Sequence, residues 1–421
     1  MGKSLAQRFS QWLPDLDRRV WILAGGRLLS QIGIGFTLFY APIFFVNQVG
    51  LSATQVGLGI GLGSVSGMGG RLLGGSLADS PHWGRRKTLL WSALISALAD
   101  GVLVLAYGFP LFVVGNLLMG FGVGLYWPAT EAVVADITAD QQRNEAFALV
   151  RLADSLGLGV GVVLGGILIS LTEAYRALFV IDGITFLLFF AIIYVAITET
   201  FTYGDGEGAF WRGWKSVLND TNILVYALVN ILFTGYMAQI QSTLPVYFSR
   251  YGDTSSGQGF SEATLSILFT GHVALAAVCQ LPVARRLSHI RHAQGLMVSA
   301  LFWGIGFILI WLTNAIGLPY LLAALALASM ALGMVAYTPI SSALVVALAP
   351  ETLRGVYLAV NSMCWAFGYL IAPPLGGWAL DQGPEFAQNF WAMIALSVLP
   401  VLGILAWLDK RFQAAEKTLQ G

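Results

Sequence analysis

The sequence predicts an all-α membrane protein whose twelve transmembrane helices form two pseudo-symmetric six-helix bundles. Three observations predict this fold: a scarcity of charge, twelve apolar stretches of spanning length, and an internal repeat. Charged residues make up 10 % of the 421-residue chain, whereas soluble globular domains carry about 25 %. The 57 % hydrophobic content and the mean hydropathy of +0.74 exclude a soluble enzyme and a disordered scaffold.

The net charge and the cysteines indicate which partners and cofactors are not expected. The chain has 22 basic and 22 acidic residues, so no net field recruits nucleic acid, and none is expected as a partner. Its two cysteines, Cys279 and Cys364, lie in apolar stretches and are expected to be buried thiols. We therefore expect no metal and no cofactor.

Each of the twelve apolar stretches can cross a hydrocarbon core of about 30 Å as a helix rising about 1.5 Å per residue. A polar, Gly-rich stretch, 199–222, divides them six and six. The predicted domains are an N-terminal six-helix bundle over 1–198 with a short cytoplasmic N-terminal segment, a cytoplasmic linker over 199–222, and a C-terminal bundle over 223–421 with a short cytoplasmic tail. The predicted spans are 20–46, 56–77, 89–107, 111–137, 146–171, 178–197, 223–248, 263–283, 296–312, 318–348, 357–380 and 390–408.

The basic residues predict the orientation, because cytoplasmic loops of membrane proteins are enriched in Lys and Arg. With both termini cytoplasmic, only Arg176 and Arg250 fall on the opposite side, and Arg27, Arg71 and Arg151 fall inside helices. All other basic residues are then cytoplasmic. We expect a multi-pass protein of the plasma or inner membrane with cytoplasmic termini.

An offset of 211 residues aligns 126–166 with 337–377 without a gap. Tyr126 meets Tyr337, and the pair Gly165–Gly166 meets Gly376–Gly377. Such a duplication predicts a binding site between the halves, near the midplane. The halves differ in charge, since Glu131, Arg151 and Asp154 align with Ser342, Ser362 and Trp365. The obvious intramembrane polar groups of the second half are His272, Gln239, Gln241, Gln280 and Asn361.

The loop between the second and third spans has the sequence GGSLADSPHWGRRK over residues 74–87. It resembles motif A of the major facilitator superfamily, although four residues separate Asp79 from Gly84 where that family has two. The resemblance implies a transporter in which the motif is a conformational latch on the cytoplasmic face of the outward-open state. The alternative is a loop whose basic residues only set the topology. The predicted latch residues are Gly75, Asp79, Gly84, Arg85 and Arg86.

A second glycine pattern resembles motif C of the drug and proton antiporters in that superfamily. It comprises Gly157, Gly161, Gly165 and Gly166, with Val162 where the motif has proline; its copy in the second half contains Pro373, Pro374, Gly376 and Gly377. The resemblance implies export. The alternative is helix packing alone, because small residues four apart allow close helix contact in any membrane protein. Motif B of those exporters expects an arginine in the fourth helix, where the best-placed residue is Asn116.

Charged residues inside the spans are the candidate coupling site. Arg27, Arg71, Glu131 and Arg151 share one depth, about 9 to 12 Å from the cytoplasmic ends of their helices, and Asp154 lies on the same face as Arg151. Buried charges are costly, so they should pair inside the bundle and mark a substrate or proton pathway. We expect Glu131 and Asp154 to neutralise Arg151 and one other arginine. The alternative is a purely structural ion network.

Two further acids and several other polar or aromatic groups complete the candidates. Asp100 and Asp182 lie toward the external side, as protonatable acids or helix-capping residues. His272 is expected to be a packed histidine. The candidates for the substrate cavity are Tyr40, Tyr126, Tyr236, Tyr337, Gln239 and Trp365.

The predicted function is secondary active transport of a small organic solute by alternating access, with proton-coupled efflux favoured. No Gly-x-x-x-x-Gly-Lys-Ser/Thr loop occurs, so an ion gradient must supply the energy, and the buried acids favour protons. The alternative is uptake or exchange of an anionic metabolite bound by the membrane arginines. No enzymatic activity is expected. The expected partners are the substrate, protons and the lipid bilayer, with the chain acting as a monomer.

Overall fold

The computed structural model describes residues 16–78, 80, 82–138, 142–200, 217–252, 259–287, 289–313, 315–349 and 354–420. These residues contain no strand, and fourteen α-helices of eight or more residues make twelve passes, so the all-α prediction is confirmed. Each predicted span overlaps one pass. The helices are α1 Arg18–Leu38, α2 Tyr40–Asn47, α3 Ala53–Ala78, α4 Gly84–Val104, α5 Phe109–Ile137, α6 Arg143–Thr172, α7 Tyr175–Ala196, α8 Thr221–Gln241, α9 Thr243–Tyr251, α10 Glu262–Leu287, α11 His292–Leu312, α12 Pro319–Leu348, α13 Arg354–Asp381 and α14 Pro384–Gln420.

The first and seventh passes are each interrupted, which the prediction of continuous spans missed. α1 ends at Leu38, four residues before Pro42, and α8 ends at Gln241, four residues before Pro245. A proline lacks the N–H that would bond to the carbonyl four residues earlier, and its ring clashes with that carbonyl. The two breaks therefore have the same cause at corresponding places in the two halves.

The helices form two sets, α1–α7 (the first bundle) and α8–α14 (the second bundle). The main contacts between the sets are α3 with α13 and α6 with α10. Ten passes are long and apolar enough to cross a membrane by length and composition. The other two are α3 and α13, which pack on each other. α3 contains nine glycines, so its low hydropathy fits a helix that faces another backbone more than lipid.

The repeat predicted from the sequence is visible in the contacts. A Cβ on Gly157 would meet Gln31 in α1, and one on Gly368 would meet Thr234 in α8. Gly165 lies against Phe36 and Tyr40, and its repeat partner Gly376 lies against Gln239 and Thr243. The residues contacted in the first half and their counterparts in the second half are separated by 203 positions in each of the three pairs: Gln31 and Thr234, Phe36 and Gln239, and Tyr40 and Thr243. The same pseudo-two-fold relation therefore covers the first and seventh passes.

An even number of passes puts the start of α1 and the end of α14 on one side. We call the end of the helices that carries residues 80–84, 197–200 and 287–292 the terminal face, and the end that carries residues 47–53, 104–109 and 381–384 the distal face.

The two bundles meet tightly at the distal face. The Asn47 amide donates to the Ser249 hydroxyl at 3.1 Å, and the Asp381 carboxylate accepts from the backbone N–H groups of Ala53 at 3.0 Å and Thr54 at 2.8 Å. Deeper in, the Cβ of an alanine at Gly57 would overlap the carbonyl of Pro373. The distal face is therefore closed in this conformation.

Candidate functional site

An ion pair lies inside the first bundle. The Arg27 Nε donates to Asp154 Oδ1 at 2.5 Å, and the two residues are 4 % and 9 % exposed. The guanidinium carbon lies 3.9 Å from the centroid of the Tyr126 ring and 5.5 Å from that of Trp127. The pair and its aromatic surround join α1, α5 and α6.

Glycines bring the two charged residues together. A Cβ on Gly157 would overlap the carbonyl of Leu28, and one on Gly161 would lie 2.8 Å from the Cα of Gly35. α6 therefore approaches the backbone of α1 in this stretch. Asp154, one turn before Gly157, then lies beside Arg27, directly before Leu28. The sequence predicted that Asp154 would neutralise an arginine, and the contact identifies that arginine as Arg27. The side chain of Arg151 lies outside the described residues.

Arg71 connects the two bundles. Its guanidinium donates to the hydroxyl of Ser362 and lies 3.5 Å from the Ser362 carbonyl. Ser362 is on α13, at the position that the repeat aligns with Arg151. Glu131 on α5 interacts electrostatically with Arg71 on α3. Glu131 is exposed in this conformation, so the expectation that it is a buried charge is wrong.

The second bundle has a neutral cluster at the place that corresponds to the ion pair. The Tyr337 hydroxyl donates to Asn230 Oδ1, and Asn230 Nδ2 donates to Asn361 Oδ1 at 2.8 Å. Tyr226 donates to the carbonyl of Ser341 at 3.1 Å. Asn230, which is fully buried, was not among the residues predicted from the sequence. Aligning Pro42 with Pro245 would have found it, because that offset puts Asn230 opposite Arg27.

The six predicted cavity residues do not form one open cavity in this conformation. Trp365 is half-buried beside Tyr337 and Tyr369. The other five are buried: Tyr40 is close to the carbonyl of Val162, Tyr236 is hydrogen-bonded to Ser397, Gln239 donates to the carbonyl of Ala372, Tyr126 lies under Arg27, and Tyr337 lies in the neutral cluster. Their role as a substrate surface stays a prediction.

Asp100 and Asp182 are in the interiors of α4 and α7, each 1 % exposed. Neither is at a helix end, so the alternative that they are capping residues is wrong. His272 is packed as expected, with Nδ1 at 2.9 Å from the carbonyl of Leu327.

Two acids outside the motif, Glu199 and Asp136, bind the motif A loop. Glu199 accepts from the backbone N–H groups of Arg85 at 2.9 Å and Arg86 at 3.2 Å, at the start of α4. The Arg85 side chain forms a salt bridge with Asp136 at the end of α5. Asp79 lies outside the described residues. These contacts all lie within the first bundle, and Glu199, expected in the linker, stabilises the α4 N-terminus.

The glycines of the motif C resemblance have packing roles in the structure. Gly157, Gly161 and Gly165 face α1 or α2, while Gly166 faces Ser266 of the second bundle. Their counterparts Gly376 and Gly377 face Thr243 and the carbonyl of Ala53. These glycines therefore allow close helix contacts both within a bundle and between the two bundles.

Comparisons with known proteins agree with this architecture. A sequence model of the Major Facilitator Superfamily matches residues 23–259 and 254–420. An uncharacterised MFS-type transporter of Bacillus subtilis, YttB, is 27 % identical, with 96 % of this chain and 98 % of that protein covered. The multidrug resistance protein MdtH of Aeromonas hydrophila is 25 % identical over 91 % of this chain and 93 % of its own length.

Solved structures share the fold. The nucleoside transporter NupG superimposes with a TM-score of 0.78 at 12 % identity, covering 93 % of this chain and all of that one. A bacterial homologue of the human lysosomal transporter Spinster, solved inward-facing and unoccupied, gives 0.72 at 14 % identity, covering 98 % and 99 %. At these identities the likeness is one of fold.

Proposed function

The chain belongs to the major facilitator superfamily of transporters, and we propose that it is a secondary active transporter that exports a small organic solute in exchange for protons. The observation that supports the proposal most is the Arg27–Asp154 ion pair, an acid and a base buried beside two aromatic rings. Intramembrane ionisable groups of this kind mark ion or substrate pathways. Export is favoured by the relatives named multidrug resistance protein MdtH.

The proposed orientation puts the terminal face in the cytoplasm, because the basic loops lie there. The bundles over 1–198 and 223–421, joined by the linker 199–222, would then move as two units. With the distal face closed by contacts of Asn47 and Asp381, this conformation would be the inward-facing one. Rocking of the bundles about the α3–α13 and α6–α10 contacts would open the distal face.

In the proposed exchange, Asp154 releases a proton to form the pair with Arg27 and binds one when the pair separates. The aromatic faces of Tyr126 and Trp127 hold the guanidinium in either case. A solute that enters between the bundles would compete for these groups, so that proton and solute bind in turn. Glu131 would play the same part toward Arg71.

The motif A loop would control the terminal face. In this conformation Arg85 is bound to Asp136 inside the first bundle. We infer that closing the terminal face lets the Asp79 and Arg85 region contact the second bundle, as the motif resemblance implies. Asp79→Ala should then shift the balance of conformations and preserve substrate affinity.

Uptake or exchange of an anion is the second candidate, and Arg71 favours it. Its hydrogen bonds with described residues are to the neutral Ser362 of the other bundle. An anionic solute could approach this guanidinium at the contact between the bundles. Arg71→Gln would then abolish the binding of anions and spare that of cations.

Purified protein in liposomes with an imposed pH gradient tests proton coupling. Asp154→Asn and Glu131→Gln should each reduce gradient-driven flux at least tenfold, while solute exchange without a gradient persists. Glu385→Gln, at an exposed acid in the first turn of α14, is the matched control and should transport normally. If both site variants keep gradient-driven flux, the proposal is wrong.

A thermal-shift screen against organic cations, organic anions and sugars separates the two candidates. A ligand that binds only the folded protein raises the melting temperature by mass action. Stabilisation by cations or neutral drugs supports export, and stabilisation by anions that Arg71→Gln removes supports the second candidate.

A further inference from the structure

Two carboxyl groups face each other in the distal half of the first bundle, away from the ion pair. Asp100 is on α4 and Asp182 is on α7, and the two acids interact electrostatically. A Cβ on Gly183 would lie 3.3 Å from the Cβ of Asp100, so the two helices are in close contact here. Thr37 on α1 lies at the level of the two acids, beside Asp182. It is ten residues beyond Arg27, which is about 15 Å along the helix. The acids therefore form a site separate from Arg27–Asp154.

The site has more acceptors than donors. The Thr37 hydroxyl lies 3.2 Å from Asp182 Oδ2, and the Gly33 backbone covers Oδ1, where a Cβ would be 2.5 Å away. Both oxygens of Asp100 and Oδ1 of Asp182 have no hydrogen-bond donor among the described residues. A buried carboxylate without donors is costly. Three such oxygens within one layer require a compensating cation or proton.

No side chain of the described residues supplies that cation. Arg27 is bound to Asp154, two turns or more toward the terminal face. Arg176, at the distal end of α7, donates to the carbonyls of Val104 and Ala106. The helices packed against the pair, α1, α4, α5 and α7, carry these other charged residues, all in their terminal halves: Arg18, Arg19, Arg85, Arg86, Lys87, Glu131 and Asp136. The two acids also provide too few ligands for a metal ion, since no group of three or more His, Cys, Asp or Glu occurs in the described part of the chain.

We propose that Asp100 and Asp182 form a proton-binding site that holds one proton between them in this conformation. Two ionised carboxylates in a low-dielectric interior repel each other, and a shared proton removes one charge and supplies the missing donor. The site lies on the third and sixth passes, which do not contribute to the Arg27–Asp154 pair.

Polar side chains of α4 lie on the terminal side of the two acids. Ser92 and Ser96 are on the face of α4 that leads to Asp100, and they line a small cavity with Arg27 and Tyr126. Toward the distal face, Phe179 lies about one turn from Asp182 on α7, and its ring packs with those of Phe44 and Phe45, the latter also against Phe112. In the proposed site, a proton would therefore reach the acids from the terminal side, past Ser92 and Ser96.

Thr37 connects the site to the break in the first pass. It lies two residues before Phe39, where α1 ends and α2 begins. Loss of the proton adds a negative charge beside this hydroxyl and so strengthens its hydrogen bond to Asp182. Binding or loss of the proton would thereby change how firmly the end of α1 is held to α7, next to the break that leads into α2 and the closed distal face. This role in transport rests on the proposed function, while the binding of the proton does not.

Infrared spectroscopy of the purified wild-type protein tests the site directly. At neutral pH we expect a carbonyl stretch of a protonated carboxylic acid, which the double variant Asp100→Asn/Asp182→Asn should remove. Each single variant should shift the band, because the remaining buried acid keeps the proton beside a different partner. The controls Asp154→Asn and Glu385→Gln should retain it. Absence of the band in the wild type, its persistence in the double variant, or an unshifted band in both single variants would overturn the proposal. A sodium-dependent rise in melting temperature together with a missing band would assign the site to sodium and also overturn it.

Flux measurements then test the coupling role. The number of protons moved per solute should fall in the double variant Asp100→Asn/Asp182→Asn, while solute exchange at equal pH continues. An unchanged ratio in a variant that has lost the band would overturn the role in transport. Failure of the proposed function is recognised separately, because normal gradient-driven flux in Asp154→Asn leaves the infrared result unaffected.

Discussion

Gly84 and Gly75 belong to the same loop motif but are glycines for different reasons. Gly84 has φ +79°, and a Cβ there would overlap the Glu199 carboxylate. Gly75, in the last turn of α3, has no neighbouring atom within 4 Å of the position that a Cβ would occupy. The first glycine is needed for the fold of the loop. The second leaves open space in this conformation, which suits a surface that another helix approaches when the terminal face closes.

The contrast predicts opposite effects of alanine on stability. Gly84→Ala should lower the free energy of unfolding, because the left-handed conformation costs a non-glycine residue about 1–2 kcal/mol and Glu199 must also move off the α4 N-terminus. Gly75→Ala should not destabilise, since alanine favours a helix by up to about 1 kcal/mol over glycine. Melting temperatures of the two variants in detergent check this. Equal losses in both would contradict the structural difference.

At the ion pair, the sequence predicted part of the site. Hydropathy and depth identified Asp154 and Arg27 as buried charges, since few such residues occur within spans. Which acid meets which arginine depends on the register of α6 on α1, and that register depends on backbone contacts of Gly157 and Gly161. Asn230 was missed because a neutral amide produces no signal in a charge pattern.

At the scale of helices, the spans were predictable and the breaks were predictable in principle. Long apolar stretches need no tertiary information, because any such helix is stable in lipid. The breaks at Phe39 and Ser242 could have been inferred from Pro42 and Pro245, four residues after each helix end. The pairing of α3 with α13 could not, because two glycine-rich faces match many partners equally well.

The close approach of α6 and α1 predicts a strong effect of one methyl group. A Cβ on Gly161 would overlap the carbonyl of Ile32 and lie 2.8 Å from the Cα of Gly35, both backbone atoms that cannot rotate away. Gly161→Ala should therefore separate the helices, cost about 1–3 kcal/mol as overpacking does, and reduce transport by disturbing Arg27–Asp154. Gly69→Ala in α3, where nothing lies within 4 Å, is the control. Wild-type flux and melting temperature in Gly161→Ala would refute the packing role.

At the scale of the molecule, hydrogen bonds at the distal face join the two bundles in this conformation. The Asp381 carboxylate, at the exposed end of α13, accepts from Thr54 Oγ1 at 2.6 Å as well as from two N–H groups of α3. Burial alone would raise the pKa of Asp381, but the hydrogen bonds from Thr54 and Ala53 hold that pKa below its ordinary value of 3.8. A group with a lowered pKa contributes its stabilisation above the ordinary pKa and loses it as the pH falls through the lower value. Closure of the distal face by Asp381 is therefore independent of pH near neutrality.

Crosslinking across the distal face tests whether this closure must be undone during transport. Asn47 and Ser249 touch through their side chains at 3.1 Å, so Asn47→Cys with Ser249→Cys, in a chain with Cys279 and Cys364 replaced, should form a disulfide under mild oxidation. The oxidation is carried out at one pH near neutrality, because thiolate formation itself makes disulfide formation faster as the pH rises. The oxidised protein should lose transport and regain it on reduction, while Asn47→Cys alone is unaffected by oxidation. A crosslinked protein that still transports would mean that solute does not leave through the distal face, and alternating access between these two bundles would have to be abandoned.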